Sequence, residues 1–484
     1  MPESGAGAAA DLAPLPFFRA LTSFRGAFWA ANVMEMLERL AYYGVRVVVP
    51  IYIASSEDPG GLHFTNEQKG TILALWALVQ SLVPMFSGGF ADRYGRKTTI
   101  AASIATKIVG YLLMASQRTF LGFTIGCLVL ALGTAVFKPG CWGTVQIGTN
   151  KRNSSVGWGI MYWVVNVGGF LGPPLAGFLH RLAWKWVFVS CALIVSLNFL
   201  VLLTYEDAGP RGEGSAAKVF LESISKLWKR PRALVFVLVM SLFFVFFMQL
   251  YDALPNFIEE WTDSRDIVAS LGLHEGQLAH MTPRGLQVPQ EWMINLDAGL
   301  ILLVMVPVSG VLAHIKLLRV LFLGMLLACA GLLFAGGRMS GWACIVGILL
   351  FAIGEMFALP KVNEYLGLIA PKGDEGLYMG YANIPFAIGW TSGAYVAGRI
   401  YDDVADKANL ATRYLVEHGV TGPIARTEAF ARFQELTHTD AREGTVLLWN
   451  TYHPYTFWYA FVGVGLLSAF GMLIYARIAP KLRG

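Results

Sequence analysis

The chain has 484 residues, 55% of them hydrophobic and 14% charged, with a mean hydropathy of +0.54. A soluble domain carries about 25% charged residues, so this balance belongs to a protein whose exterior is lipid. The net charge is only +5, the five cysteines lie singly in apolar segments and the eight histidines are scattered; these argue against a nucleic-acid partner, a disulfide framework, a metal site, a cofactor or an enzyme's nucleophile constellation.

Residues 1–25, Ala/Gly/Pro-rich as far as Pro16 and lacking a basic n-region, read as a disordered tail rather than a cleaved signal. The first apolar run, 26–53, contains Glu35, Glu38, Arg39 and Arg46. At helical spacing these four and Tyr42 fall on one face. A charge at bilayer depth costs roughly 2.5 kcal/mol or more, so such a stripe must meet a partner or a water-filled cavity. It marks a transport pathway; the plainer alternative is a static network that orients helices.

Eleven further runs are long enough to span hydrocarbon: 67–91, 98–117, 120–147, 155–181, 184–204, 232–257, 291–313, 317–336, 341–369, 376–402 and 453–478. An N-terminal six-helix bundle over 26–204 and a C-terminal one over 232–478 therefore flank a linker, 205–231, and a short tail, 479–484, closes the chain. In the linker Phe220, Ile224, Leu227 and Trp228 form an apolar stripe beside lysines, as an interfacial helix would. Basic residues gather in the turn Asp92 to Lys97, at Lys151 and Arg152, in the linker and at Arg477, Lys481 and Arg483, whereas Ser55 to Gly61 has none. The positive-inside rule then predicts a multi-pass protein of the plasma (inner) membrane with both termini cytoplasmic. Glu259 to Glu291 and 403–450 become external by parity; the second is long enough for small helices, for example around Glu428 to Phe433, and reads as a solubilising cap. Trp142, Trp158, Trp163, Trp184 and Trp186 read as lipid or interface anchors.

The halves look like distant copies: Pro84 to Arg93 and Pro307 to Lys316 each run from Pro through Gly to a polar, basic turn. Gly88 through Lys97 is similar to the cytoplasmic loop signature of the major facilitator superfamily, which implies that Asp92, Arg93 and Arg96 brace that end when it is closed. More specifically, Glu35-x-x-Glu38-Arg39-x-x-Tyr42-Tyr43-Gly44-x-Arg46 resembles the proton-dependent oligopeptide transporter family. Gly133 to Pro139 with Lys138, Tyr162 to Gly168 with Asn166, Gly354-Glu355 with Pro360, Ala370-Pro371-Lys372 and Met379-Gly380 agree in order. The resemblance covers most of the membrane core. It implies an all-α membrane protein, twelve transmembrane helices in two bundles, that carries di- and tripeptides with protons. The chain departs from the family in helix seven, where Phe247-Met248 precede Gln249 and Asp252 is the only acid, and in helix ten, which adds Lys361 and Glu364.

At a rise of 1.5 Å per residue, Glu35 and Lys138 share a depth and can pair. Arg46 and Asp252 share another, as an outer gate, and Glu355 and Arg39 fall near the midplane. Asp297, close to the start of its run, is indistinguishable from a solvated end residue, and Lys361 and Glu364 at i and i+3 can satisfy each other. The roles expected are then proton coupling by Glu35, Glu38 and Arg39; substrate binding by Tyr42, Tyr43, Arg46, Lys138, Asn166, Gln249 and Glu355; and gating by Asp252, Asp92, Arg93 and Arg96. The coupling ion is H+, the partners are a small peptide-like zwitterion and the bilayer, and the working unit is a monomer. Two alternatives stand beside this: a proton antiporter or uniporter of the same superfamily for another metabolite or amphipathic compound, and a non-transporting receptor or scaffold that uses loop 403–450.

Overall fold

A computed structural model describes residues 17–479 apart from 59, 151, 207–226, 277, 313–314 and 372–380; the side chains of 17, 85–93, 154–155, 306 and 309–311 also lie outside it. Among the described residues twelve long helices carry the fold: α1 (Gly26–Ala54), α2 (Asn66–Tyr94), α3 (Arg96–Ser116), α4 (Phe120–Ile147), α5 (Ser154–Leu182), α6 (Trp184–Leu202), α7 (Pro231–Phe247), α8 (Gln290–Leu312), α9 (Leu317–Gly336), α10 (Gly341–Ile369), α11 (Asn383–Val404) and α12 (Thr456–Ile478). Each coincides with an expected apolar run, and the fold class is the one read from the sequence. Local signals set the ends. Thr65 and Gln68 close a capping box at the start of α2, Thr119 and Ser340 cap α4 and α10, and Gly95, at φ 87°, turns the chain directly from α2 into α3.

Packing repeats across the halves. In the first, α1 packs on α5 and α6, α3 on α4 and α6, and α2 on α4; in the second, α7 packs on α11 and α12, α9 on α10 and α12, and α8 on α10. The seam obeys the same symmetry, with α2 on α11 and α5 on α8. Seven of the described helices are apolar enough by length and composition alone to cross a bilayer: α3, α4, α6, α7, α9, α10 and α12. The other five are α1, α2, α5, α8 and α11, four of which form the α2–α11 and α5–α8 seam contacts. All five cysteines are free and buried.

Past Phe247 the α7 segment continues as Gln249–Asp252 and Leu254–Trp261. Pro255 has no N–H to give the Tyr251 carbonyl, so that oxygen is left for another donor. Two excursions then crown one end of the molecule: an antiparallel hairpin, β1 (His280–Thr282) with β2 (Gly285–Gln287), ahead of α8, and helices Lys407–Glu417, Arg426–Thr437 and Ala441–Tyr452 between α11 and α12. This is the cap end; the described chain begins and finishes at the other, the termini end.

Two expectations are amended, and a third falls mostly outside the described residues. Part of the segment read as a disordered tail is a helix, Phe17–Ser23, tied down by Asn153 Nδ2 donating to Ser23 Oγ at 2.8 Å and by Phe24 stacking on Phe28. Trp184 is buried, its indole N–H donating to Asp58 at 2.7 Å, so it packs the cap end instead of anchoring in lipid. Most of the linker stripe, Phe220 and Ile224 included, lies outside the described residues; Leu227 is buried and Trp228 exposed.

Candidate functional site

The charged face of α1 splits between two places. Toward the termini end, Arg39 Nε donates to Glu35 Oε1 at 2.9 Å one turn along the same helix, and Glu38 takes the ammonium of Lys107 from α3. All four side chains are buried, and the Lys107 ammonium lies 3.7 Å from the centre of the Phe137 ring. Glu35 Oε2, Glu38 Oε1 and Arg39 Nη2 have no hydrogen-bond partner. Unsatisfied polar atoms on charged groups in an apolar interior are costly, so the network is held at an energetic expense.

Toward the cap end, Arg46 pairs with Asp252, and its Nη1 donates at 3.3 Å to the Tyr251 carbonyl that Pro255 leaves open. The Trp390 indole donates to the second Asp252 oxygen at 3.1 Å, and the Arg46 guanidinium sits 5.1 Å over its ring. Above this plug the bundles are bolted together. Asp402 accepts from the backbone N–H groups of Asn66 and Glu67 (2.8 and 2.7 Å), Asn66 donates to Asp406 (2.7 Å), and Lys69 donates to Asn256 (2.7 Å). Arg399 pairs with Glu67 (2.9 Å) and Lys407 with Glu57 (2.7 Å). Gly70 and Gly398 let α2 and α11 touch backbone to backbone: a Cβ on Gly398 would lie 2.9 Å from the Gly70 Cα.

Below the plug, a cavity of about 70 Å³ bridges the bundles between α1, α5, α7, α8 and α10. Tyr43 and Asn166 line it from one side; Tyr251, Asn295, Asp297 and Glu355 line it from the other. The Tyr251 hydroxyl donates to Asp297 Oδ2 at 2.8 Å, and Asn295 Nδ2 donates to the Phe170 carbonyl at 2.8 Å. Asp297 Oδ1, Asn295 Oδ1 and Glu355 Oε2 have no partner. Among its described lining residues there is no lysine or arginine. The cavity is an acceptor-rich chamber suited to a group that brings N–H donors.

Not every expected residue converges on this chamber. Tyr43, Asn166 and Glu355 line it, and Arg46 with Asp252 forms the plug at its cap side. Tyr42 stands apart, its hydroxyl accepting from Gln80 at 2.9 Å. The Glu35–Lys138 pair is not formed: Arg39, on the same helix, reaches Glu35, and the Lys138 ammonium sits 5.6 Å over the Trp142 ring. Gln249 points into the second bundle, donating to Val245 O at 2.8 Å and packing on Gly393, because the break after Phe247 turns it away from the seam. The side chains of Asp92 and Arg93 lie outside the described residues; Arg96 runs past Gly143, where a side chain would collide with it. Lys361 and Glu364 pair at 2.6 Å.

Sequence reasoning missed Lys107, Asp297, Tyr251 and Lys69. Lys107 is the one charge in the run 98–117, nine residues from its start, within a turn of the depth of Glu38, which lies twelve residues into α1. The same arithmetic that paired Arg46 with Asp252 would have found it. Asp297 is the eighth residue of α8, since that helix starts at Gln290.

Comparison with known proteins follows this geometry. A family model described as the Major Facilitator Superfamily matches residues 32–394. The multidrug resistance protein MdtH of Blochmanniella pennsylvanica is 23% identical over 373 residues, covering 76% of this chain and 84% of that protein. The peptide transporter YePEPT of Yersinia enterocolitica is 28% identical over 205 residues, 41% of this chain and 39% of that protein. Among solved structures, the peptide transporter POT in complex with sulfate superposes with a TM-score of 0.67 at 15% identity, over 97% of this chain and 100% of that one. The nucleoside transporter NupG gives 0.67 at 12% identity, over 93% and 99%. At such identities these likenesses establish the fold, and they come from carriers of unlike cargo.

Proposed function

Because the chain belongs to the Major Facilitator Superfamily, we propose that it is a proton-coupled symporter of di- and tripeptides or similar zwitterions, working by alternating access. The observation that carries this is the Glu355 carboxylate in the chamber between the bundles, one oxygen unpartnered, facing Tyr43 and Asn166 below the Arg46–Asp252 plug. With the cap end external, the present conformation is closed to the outside. A substrate amine sits against Glu355, and Tyr43 and Asn166 supply neutral hydrogen bonds that tolerate varied side chains. Protonation of Glu35 or Glu38 loosens its hold on Arg39 or Lys107, and the helix carrying them, α1, also carries Arg46. Proton movement and gate opening thereby share one element.

The test is uptake of a mixed di- and tripeptide pool into proteoliposomes with and without an inward proton gradient, for the wild type and Glu38→Gln. Gradient-driven accumulation in the wild type that falls to exchange in Glu38→Gln is the expected result. Absence of peptide movement in folded protein overturns the substrate assignment, and gradient-independent equilibration overturns the coupling.

A second reading, a proton antiporter for amphipathic cations, is favoured by the lack of any lysine or arginine among the described residues lining the chamber and by the MdtH relative covering 76% of the chain. It predicts dye-cation efflux from the same liposomes that survives Arg46→Gln and Lys138→Gln but fails in Asp252→Asn.

A further inference from the structure

A second cavity, about 790 Å³, opens at the cap end, well within the range of small-molecule sites. It is walled by both bundles and by the hairpin: α1 and the start of its loop on one side, the Leu254–Trp261 helix and the start of α8 on the other, and His280 to Arg284 across the mouth. It is separate from the central chamber; the two share no lining residue.

Its polar groups are unbalanced in a particular way. The arginines are already engaged by carbonyls: Arg118 with Gly61, Arg181 with Gly177 (3.1 Å) and Gly276 (2.8 Å), and Arg284 with Thr262 (2.9 Å) and Glu259; Lys185, the remaining basic lining residue, is exposed, its ammonium 5.2 Å over the Trp186 ring. The acceptors are left over. Gln290 and Glu291 are 1% and 2% exposed, yet Gln290 Oε1 and Glu291 Oε1 have no hydrogen-bond partner, and neither has His280 Nδ1. The His180 ring nitrogen stands 3.7 Å from Glu291 Oε1, too far to satisfy it. Glu259 adds a second carboxylate, whose oxygen takes only a long 3.4 Å bond from the Gln290 N–H. Buried acceptors without donors in a roomy cavity call for a ligand that is itself a cationic donor. An organic cation with a guanidinium or primary ammonium group brings donors of that kind.

We propose that this cavity is a second ligand site, for a small molecule bearing a guanidinium or primary ammonium group, and that its occupation clamps the cap end shut. The second half follows from the walls: a ligand that fills the space between Glu291 on α8 and Val48, Ile51 and Tyr52 on α1 contacts both bundles, so it has to leave before they part and favours the closed state by its differential affinity. The site does not depend on what the central chamber carries.

The experiment uses the full chain in detergent at pH 8, with butylguanidinium as probe and butylurea as its uncharged isostere. Butylguanidinium is expected to slow hydrogen exchange at 280–287 and 55–61 and to raise the melting temperature, with butylurea inert. Glu291→Gln should weaken binding about tenfold or more, the loss of one charged hydrogen bond, and Glu355→Gln should leave it unchanged. Three results overturn the proposal: no protection of the hairpin in the wild type, which needs no variant to fold; equal protection by butylurea; or loss of binding in Glu355→Gln, which would place the probe in the central chamber. The Glu355→Gln comparison also keeps this result apart from failure of the transport assignment, which the peptide uptake assay reads.

Discussion

Glu38 and Lys107 are both wholly buried and face each other across α1 and α3. Removing one member of a buried pair costs more than removing both, because the survivor keeps its desolvation penalty and loses its partner. Lys107→Met should therefore destabilise the protein by about 3 kcal/mol, and the double variant Glu38→Gln/Lys107→Met should recover most of that loss in denaturant unfolding. At this scale the sequence was legible wherever a charge interrupted an apolar run, since a charge in hydrocarbon needs a reason. Arg46 and Asp252 met as their depths required. Gln249 and Lys138 were misjudged because depth says nothing of azimuth: a helix break re-aims the first, and a nearer partner on α1 takes the carboxylate expected for the second. Asp297 was discounted because it lies only six residues past the expected span start, and position along a helix does not tell that its side chain meets the Tyr251 hydroxyl.

Among the elements, the α2–α11 crossing and the hairpin segment carry distinct consequences. A side chain on Gly398 would run into the Asn66 carbonyl and the Gly70 backbone. Overpacking of this kind costs about 1–3 kcal/mol, and the closed cap end alone bears it. Gly398→Leu should thus populate a form with separated cap-end helices, read as faster proteolysis in the 55–65 loop. The hairpin segment is fastened by Asp263, which pairs with Arg265 at 2.5 Å and accepts from Gln287 at 3.3 Å. Burial pushes the Asp263 carboxyl up, but the hydrogen bonds from Arg265 and Gln287 outweigh it and hold the group down at about 2. A carboxyl lowered on folding gives stability that is complete above its ordinary value of about 3.9 and is lost as pH falls through about 2. Hydrogen exchange of 263–287 should accelerate between these two pH values in the wild type, and Asp263→Asn should show no such step. Hydropathy marked all twelve long helices. It could not reveal the hairpin or the arrangement of the cap helices, which rest on contacts between segments far apart in the chain.

For the molecule as a whole, the ion pairs between the bundles named above, among the described residues, stand at the level of Arg46 or nearer the cap end. The cap helices belong by sequence to the second half, yet Lys407 reaches Glu57 and Arg426 reaches the Ala54 carbonyl of the first. Burial and the Lys407 ammonium act oppositely on Glu57, and the ammonium prevails, holding that carboxyl below its usual range. Lys407→Met should loosen the closed form by about 1 kcal/mol, roughly a fivefold rise in exchange at 55–61, while the termini end is unaffected. The two-bundle plan was legible from the linker and the paired Pro-Gly turns. The latch was not, because a charged loop looks the same in sequence whether it caps its own bundle or grips the other.

The burial of all five thiols has a practical side. A cysteine added at the surface would be the reactive one without any native thiol being removed. Glu67 and Arg399 face each other across the seam with half their side-chain surface in solvent (50% and 55%). Replaced together and spin-labelled, they would form a molecular ruler set directly over the joint, and the distribution of distances between the labels would report how often the two halves part.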